Sequence, residues 1–376
     1  MEPRPSPAAA PAPDLVRDLD WRVVPAARFG EAASAWNRIV AERGYPPFMR
    51  AEVIASALAE FGSGREVVAT AERDGRIVAA GVLVRTRFAT WETFQPSQIP
   101  LGALVQEAGV ALGVALGGLA CALPGYAAIV AVTQQDPAFV TRPADSPRLR
   151  TIDYIDTARV AVEGSFEGYW AARGKNLRTN DRRQHAKLAA DGVAVRFDEI
   201  TEAGAVAAAI AEYGALESAG WKAGGGTAIS PDNAQGRFYR SVFETFCARG
   251  AGRIFRCLFD DAPVAIDLAV EEAGMLVILK TTYDERWKSV SPASLLRRAY
   301  FSEVFGAGRV RAIEFYGKVM EWHRRWTDDV RTLYHVNAYR NAGVRSLHER
   351  LVRRSASARM PASAEAIRST SSSERS

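Results

Sequence analysis

The pattern of apolar and polar positions between residues 275 and 327 predicts a strand, a loop, a helix and a second strand. Residues 275–280 form an apolar run of strand length. Ser291 and Pro292 then favour a helix start, because serine can cap free N–H groups and proline suits the first helical position. An apolar stripe at i, i+3, i+4 and i+8 follows, and two glycines predict the end of the helix. Residues 312–315 are the next predicted strand.

A strand that leads into a helix N-terminus predicts a site for an anion, since free N–H groups and the positive end of the helix dipole meet there. Arg297 and Arg298 add positive charge nearby. A pyrophosphate, such as that of coenzyme A, would fit beside Ser291, Ala293, Ser294 and these two arginines, which are our candidate cofactor-binding residues. On these residues alone, an ordinary capped helix packed on a sheet is the favoured interpretation.

The first part of the chain predicts helices followed by a hairpin. Residues 31–61 have helical periodicity, and residues 66–70 and 76–84 predict two strands joined by a turn at Asp74 and Gly75.

A long uncharged run covers residues 108–133. Its length is that of a membrane span, but it consists mostly of Ala and Gly, and Pro124 and Gly125 interrupt it. We predict a buried helix to about Leu123 and then a strand over residues 126–132.

The remainder alternates between strand and helix patterns. The predicted strands are residues 151–162, 193–197, 252–259, 263–271, 275–282 and 333–339, and the predicted helices include residues 202–217 and 231–249. Three of these strands follow one another with short links and predict an antiparallel meander, which the strand at 333–339 could close.

A basic segment surrounds Asp181. Its cations are Lys175, Arg178, Arg182, Arg183 and Lys187, and those at 175, 178 and 182 share one helical face. The segment is either a solvated basic face or a contact for phosphates of a cofactor or polyanionic acceptor. A glycine-rich loop at residues 218–230 lacks the spacing of a Walker motif.

Composition indicates a folded protein, and the length can hold two domains of ordinary size. The 376 residues are 48% hydrophobic and 24% charged, with a net charge of +5. This charge allows an anionic ligand, and we do not expect DNA binding. Three widely spaced cysteines argue against a disulfide framework and for a reducing cytoplasm, and no metal-ligand spacing occurs. Pro- and Ala-rich residues 1–14 and Ser-rich residues 355–376 predict disordered ends.

Several motifs resemble the BioF2-like (CelD/BcsL) acetyltransferase domains of the GNAT superfamily. Residues 291–296, SPASLL, resemble the S-P-G-x-L-L helix start of that family, and Tyr283-Asp284-Glu285 matches its Y-D-E. Trp221-Lys222 with GGTAI at 225–229 resembles S-W-K-x-x-x-G-T-A-I, and RRWT at 324–327 matches the end of a K-R-R-W-T segment. The resemblance is clearest over residues 150–340.

This chain departs from the family pattern at four places. Ala293 replaces a glycine, Glu314 replaces an aspartate, and Lys318 stands where a glycine is usual. Trp322 and His323 replace a Tyr-Lys pair.

The resemblance implies an α+β fold of two GNAT-like halves, each with a mixed, mostly antiparallel sheet flanked by helices. We place a disordered leader at residues 1–18, the first half at 19–145, the second, BioF2-like acetyltransferase half at 146–342, and a helix end with a disordered tail at 343–376.

Acyl transfer from a thioester needs an oriented acceptor, a group that takes its proton, and a donor for the oxyanion. Our candidate proton acceptors are Asp284, which follows a strand end, Glu314, which lies in an apolar strand, and His323. We assign acceptor binding to Trp221, Lys222, Tyr283 and Trp322.

The sequence thus predicts a cytoplasmic acyltransferase that uses acetyl-CoA or another acyl-CoA, without a metal or a transmembrane segment. The resemblance implies a small-molecule or glycan-precursor acceptor in exopolysaccharide or cell-envelope synthesis. One alternative is a Fem-type transferase, also built of paired GNAT-like halves, that uses aminoacyl-tRNA. Another is a non-catalytic binding or scaffold protein.

Overall fold

The computed structural model describes residues 19–219 and 229–358. The elements of the first half are β1 (Asp20–Pro25), α1 (Ala33–Arg43), α2 (Ala51–Phe61), β2 (Val67–Arg73), β3 (Arg76–Arg87), β4 (Thr90–Thr93), β5 (Leu104–Gln106), α3 (Leu112–Gly117), α4 (Leu119–Ala122) and β6 (Ile129–Gln135).

The rest of the chain adds seven strands and seven helices to the described fold. They are β7 (Leu149–Ala161), α5 (Phe166–Ala171), α6 (Lys175–Ala190), β8 (Val195–Ile200), α7 (Val206–Ala219), α8 (Ala234–Ala248), β9 (Gly252–Phe259), β10 (Ala262–Glu272), β11 (Met275–Tyr283), α9 (Pro292–Ala307), β12 (Ala312–Glu314), α10 (Glu321–Arg324), β13 (Val330–Tyr339) and α11 (Ala342–Ala358).

The sheet repeats one strand order twice. Its order is β1-β2-β3-β4-β6-β13-β7-β12-β11-β10-β9-β8, with β5 paired to β3. A helix pair separates β1 from β2, and another separates β8 from β9. Each half has one parallel pair, β4 with β6 and β11 with β12, and the other neighbours are antiparallel. The prediction of two similar α+β halves with mostly antiparallel sheets is therefore confirmed.

The two halves join at the centre of the sheet. β7 pairs with β12, β13 pairs with β6, and β7 and β13 pair with each other. The prediction that residues 333–339 close the meander of the second half was wrong, because β13 lies between β6 and β7. β13 thus completes the sheet of the first half, although it comes from the end of the second half.

Local sequence signals agree with the structure at the first hairpin and in the uncharged run. Asp74 and Gly75 have φ of 53° and 73°, as a two-residue hairpin turn requires. The uncharged run forms α3, α4 and β6. In the described parts of the chain, no helix is long and apolar enough to cross a membrane. The first half begins with β1, which precedes the helices that we predicted to open it.

Two apolar clusters hold the halves together and position α9. One cluster contains side chains of both halves, including Trp36 of α1 and Phe243 of α8, both fully buried. The other lies on the opposite face of the second half, where the predicted stripe of Leu296, Tyr300 and Val304 is buried against the sheet. Each such side chain contributes about 1.5–3 kcal/mol by leaving water, so α9 is firmly held.

Candidate active-site cleft

β11 and β12 diverge and leave an open strand edge. They pair only between Met275–Val277 and Ala312–Glu314, whereas β11 continues to Tyr283. Tyr316 has a φ of 41°, and the chain turns away at this point. On its other side β11 stays paired with β10 as far as Tyr283. The last six residues of β11 therefore offer backbone groups to a ligand on the side of β12.

A cleft of about 1230 Å³ lies at this opening. Its walls are β11, the start of α9, one face of α6, α10 and the end of α7. The residues that line it include Asn176, Asn180, Gln184, Glu217, Thr281, Thr282, Tyr283, Glu285, Lys288, Ser291, Ala293, Ser294, Arg297, Glu321, Trp322, Arg324, Arg325 and Asp328.

The N-terminus of α9 opens into the cleft. Ser291, Ala293 and Ser294 line it, as expected for an anion site. The expected cap is absent, because the Ser291 side chain makes no capping hydrogen bond. Ser291 instead has a left-handed backbone, with a φ of 47°, and its carbonyl accepts from the N–H groups of Ser294 and Leu295 at 2.8 and 3.3 Å. Such a conformation costs about 1 kcal/mol or more in a non-glycine residue.

The two arginines predicted beside this terminus are both paired within the protein. Arg297 donates to both carboxylate oxygens of Asp267, at 3.0 and 3.1 Å, and to Thr281 at 2.6 Å. It lines the cleft, but Asp267 balances its charge. Arg298 pairs with Asp181 at 3.1 Å and does not line the cleft. The sequence signal for the first pair is a lone aspartate inside the apolar run of β10.

Asp284 points away from the cleft that its neighbours Tyr283 and Glu285 line. Its carboxylate accepts from the Arg286 N–H at 2.9 Å and from the Arg286 guanidinium at 2.6 Å, which caps a short helical turn. The Arg286 guanidinium lowers the pKa of the Asp284 carboxyl below its usual value. Asp284 stands between the end of β11 at Tyr283 and the helical turn that begins at Glu285, and its carboxylate caps that turn while its two neighbours line the cleft.

Glu314 is buried where the two halves meet and does not line the cleft. Arg331 binds it at 2.8 Å and binds Asp136 of the first half at 2.7 Å. Tyr316 donates its hydroxyl to Asp136 at 2.7 Å. Burial raises the pKa of the Glu314 carboxyl, and Arg331 opposes this shift.

His323 lies in the layer behind the cleft wall. Its Nδ1 accepts from the Met320 N–H at 2.9 Å, and its ring stacks on Trp322 with centroids 3.5 Å apart. Burial, aided by Arg297, lowers the pKa of His323 to about 4. The imidazole is therefore neutral near pH 7, with its proton on Nε2, while Trp322 faces the cleft.

Glu217 is a buried cleft residue that the sequence analysis missed. It lies near the end of α7, and its carboxylate accepts from Lys280 Nζ at 3.1 Å and from the Ile229 N–H at 2.8 Å. Its only sequence signals are an acid in an Ala-rich helix and a lysine in an apolar strand, and neither identifies the other without the fold.

The face of α6 that lines the cleft carries amides. Asn176, Asn180 and Gln184 follow one another at i, i+4 and i+8 and line the cleft. The predicted basic stripe of Lys175, Arg178 and Arg182 lies on a different face and does not line it.

The remaining predicted site residues divide into two groups. Tyr283 and Trp322 line the cleft. Trp221 and Lys222, together with most of the glycine-rich loop, lie outside the described residues.

Within the described residues, no group of three or more His, Cys, Asp and Glu side chains is arranged to hold a metal ion.

Comparison with known proteins identifies a similarity to one family model and to a number of solved structures. Residues 175–324 match the family model of the acetyltransferase (GNAT) domain, a segment that runs from α6 to α10 and carries most of the cleft. A search of curated protein sequences gives no match.

The first similar structure is the C-terminal domain (DUF2156) of a protein named as a lysylphosphatidylglycerol synthetase from Agrobacterium fabrum. It has 14% sequence identity and a TM-score of 0.54, over 86% of this chain and 97% of that chain. FemX has 8% identity and a TM-score of 0.52, over 83% of this chain and 98% of that chain. At these identities the likeness concerns the fold alone.

Proposed function

We propose that this chain is an acyltransferase that moves an acyl group, in the simplest case acetyl, from an acyl-CoA to an amine or hydroxyl acceptor. The observation that carries the proposal is the cleft in which the open edge of β11 meets the N-terminus of α9. Its position in the segment that matches the GNAT acetyltransferase model supports the same reaction class.

The cleft suits two parts of the donor, its phosphates and its pantetheine arm. The helix dipole and the first-turn groups of Ser291, Ala293 and Ser294 favour an anion, and Lys288 and Arg324 add positive charge at the rim. The pantetheine arm contains two amides, which can pair with the free N–H and C=O groups of a strand edge in the way an extended peptide does. The donor would therefore lie along β11 with its phosphates at α9.

Acyl transfer then needs only a positioned acceptor and a proton acceptor. The acceptor lone pair attacks the thioester carbonyl, the new C–N or C–O bond forms, and the C–S bond breaks to release coenzyme A. We propose that Glu217 takes the proton of the acceptor, since it is a cleft carboxylate held in place by Lys280 and Ile229. For Asp284, Glu314 and His323 we propose supporting roles, because each is bound to another group behind the wall.

The acceptor end of the cleft suits a hydroxyl-rich molecule. The amides of Asn176, Asn180 and Gln184 can both donate to and accept from hydroxyl groups, and Trp322 offers an aromatic surface. These groups support a sugar-like or glycan-precursor acceptor. A role in exopolysaccharide or cell-envelope synthesis, in the cytoplasm, stays a prediction of the sequence.

Calorimetry with acetyl-CoA and the Ser294→Asp variant tests the donor site. The new carboxylate would lie in the first turn of α9 and repel the pyrophosphate, so we expect binding in wild type and its loss in the variant. Ser302→Asp is the matched control, since Ser302 is exposed on the same helix and does not line the cleft. Equal binding by both variants would move the donor away from α9, and no binding by wild type would remove the proposal.

An aminoacyl ester donor is the second candidate. The exposed basic face of α6, which includes Lys175, Arg182 and Lys187, lies beside the cleft and could contact a nucleic-acid backbone. Retention of tRNA on the purified protein, with no binding of acetyl-CoA, would favour this donor. A binding or scaffold role is the third candidate, and it predicts that Glu217→Gln leaves the cellular phenotype intact.

A further inference from the structure

We propose that one end of the first half docks on an anionic membrane surface. The docking face consists of five exposed apolar side chains and a set of arginines around them. The apolar side chains are Phe88, Tyr126, Leu347, Leu351 and Val352. The arginines are Arg85, Arg87, Arg340, Arg350 and Arg354. This inference is independent of the reaction proposed above.

Backbone hydrogen bonds bring the segments of the docking face together. The N–H of Ala128 donates to the carbonyl of Ala89 at 2.8 Å, and the N–H of Arg340 donates to the carbonyl of Ala128 at 2.9 Å. The tip of the β3–β4 hairpin, the loop before β6 and the end of β13 therefore lie side by side. α11 begins at Ala342, directly after β13, and its His348 Nδ1 lies 3.0 Å from the Tyr339 hydroxyl, so the helix stays beside the end of β13.

The hairpin tip presents an aromatic side chain to solvent. Phe88 is 89% exposed, the highest value among the large apolar side chains of the described residues. It stands in a two-residue turn in which Ala89 has a φ of 60° and is buried. The corresponding β10–β11 turn of the second half contains Ala273 and Gly274 instead. The aromatic tip is thus not a requirement of the hairpin.

α11 continues the apolar surface along an amphipathic helix. Leu347, Leu351 and Val352 are 60%, 52% and 53% exposed. With Phe88 and Tyr126 they make up five of the nine large apolar side chains that are exposed in the described residues. Exposed apolar side chains are normally scattered singly over a surface, so their concentration here indicates a partner.

Charge identifies the partner as anionic. Arg350 and Arg354 accompany the leucines on α11, and Glu349, the only acid of this helix, is bound to Arg150 at 2.7 Å and to Arg345 at 2.9 Å. Arginines that surround an exposed aromatic and aliphatic surface are typical of helices that lie on acidic lipid. Aliphatic side chains gain nothing from a nucleic-acid backbone, and lipid therefore fits this surface better than RNA.

Strand directions place the docking face and the cleft at the same edge of the sheet. β3, β13, β12 and β11 all run in one direction, as their chain of pairings requires. The ends of β3 and β13 border the docking face, and the end of β11 borders the cleft. In a docked molecule, the edge of the sheet that carries the cleft would therefore face the membrane.

Sedimentation of the full chain with lipid vesicles tests this inference. We expect binding to phosphatidylcholine vesicles that contain about 30% phosphatidylglycerol and weak binding to phosphatidylcholine alone, with release at about 1 M salt. The double variant Arg350→Glu and Arg354→Glu should weaken binding at least about 25-fold, since each arginine near an acidic surface contributes about fivefold. Phe88→Ser should weaken it about tenfold.

Matched variants separate a defined face from a general charge effect. Arg182→Glu with Arg183→Glu changes the net charge equally but lies on α6, and Ile152→Ser removes an exposed apolar side chain from β7. Both should bind acidic vesicles like wild type. Equal losses in the α6 variant, equal binding to neutral vesicles, absence of vesicle binding, or displacement of the vesicles by RNA at equimolar phosphate would each overturn the inference.

Discussion

The two halves share one strand order, yet the strand pair that opens into the cleft of the second half has a closed counterpart in the first. In the second half β10 stays paired with β11, and β11 diverges from β12. In the first half β3 changes partner, from β4 at residues 83–87 to β5 at residues 79–81. Residues 94–106 therefore fill the place that corresponds to the cleft.

The contacts of this filling segment are close. A Cβ atom added to Gly102 would lie 2.4 Å from the carbonyl oxygen of Thr133, and the hydroxyls of Thr93 and Thr133 are 2.7 Å apart. The helix that corresponds to α9 is α3, which has 6 residues and starts at buried Leu112 and Gly113. α9 has 16 residues and starts in the cleft. The two halves therefore repeat the strand order, but the first half does not repeat the cleft at the N-terminus of α9.

The ionic cluster between the halves should give the largest stability effect. Arg331→Leu leaves Asp136 and Glu314 buried without their cation, and we expect a loss of about 3–5 kcal/mol in the free energy of unfolding. Chemical denaturation measures this loss. Arg309→Ala is the control, because Arg309 is exposed and its pair with Glu271 should contribute at most about 1 kcal/mol. Equal effects would show that the halves do not depend on this cluster.

Glu217 should give the largest effect on activity. Glu217→Gln keeps the side-chain shape but removes the carboxylate that we propose as proton acceptor, so kcat should fall about 10²–10³-fold with donor affinity unchanged. Steady-state kinetics and calorimetry measure the two quantities. Glu321→Gln is the control at an exposed position of the same cleft and should change kcat little. A kcat of Glu217→Gln near that of wild type would contradict the assignment.

His323 should make stability depend on pH. Its pKa is lowered to about 4 in the folded protein, against about 6.5 in an unfolded chain. The unfolded state therefore binds the proton more readily, and the contribution of this residue is present above pH 6.5 and lost as the pH falls towards 4. Between pH 7 and 4.5 the loss should be about 2 kcal/mol.

Unfolding of wild type and His323→Gln at both pH values isolates this contribution. The variant should show a pH dependence smaller by that amount, whatever its absolute stability. An identical pH dependence in the two proteins would show that His323 is not buried in its neutral form.

Gly102 tests whether the first half is closed. Gly102→Ala inserts a methyl group against Thr133, and we expect a loss of about 1–3 kcal/mol. Gly174→Ala is the counterpart at the rim of the cleft, where an added Cβ meets nothing within 4 Å, and it should be nearly neutral. Thermal unfolding compares the two variants. Equal stabilities would mean that residues 94–106 can move to make room for the added methyl group, so that the first half is not tightly closed there.

Local patterns predicted the elements around the site well. The apolar stripe of α9, the meander of β9 to β11 and the hairpin at Asp74 follow from short-range periodicity and turn chemistry, which depend on neighbouring residues. The position of β13 between β6 and β7 could not be predicted in this way, because both partner strands lie far earlier in the chain and leave no local signal.

The roles of site residues could not be predicted from the sequence where a partner far away in the chain determines them. Arg297 is a free cation in the sequence, but Asp267, thirty positions earlier, neutralises it in the fold. Asp284 and Glu314 were candidate proton acceptors in the sequence, yet Arg286 and Arg331 bind them outside the cleft. Glu217 can be identified as a candidate only in the fold, where it binds Lys280 and lines the cleft.

The number of acyl-CoA molecules bound per chain shows whether the second half alone carries the donor site. Calorimetry of the full chain with acetyl-CoA, with native mass spectrometry as a second count, measures it. One open cleft in two similar halves predicts one donor per chain, and none in Ser294→Asp. Two donors per chain, or one donor that the variant retains, would contradict the claim that the second half alone carries the site.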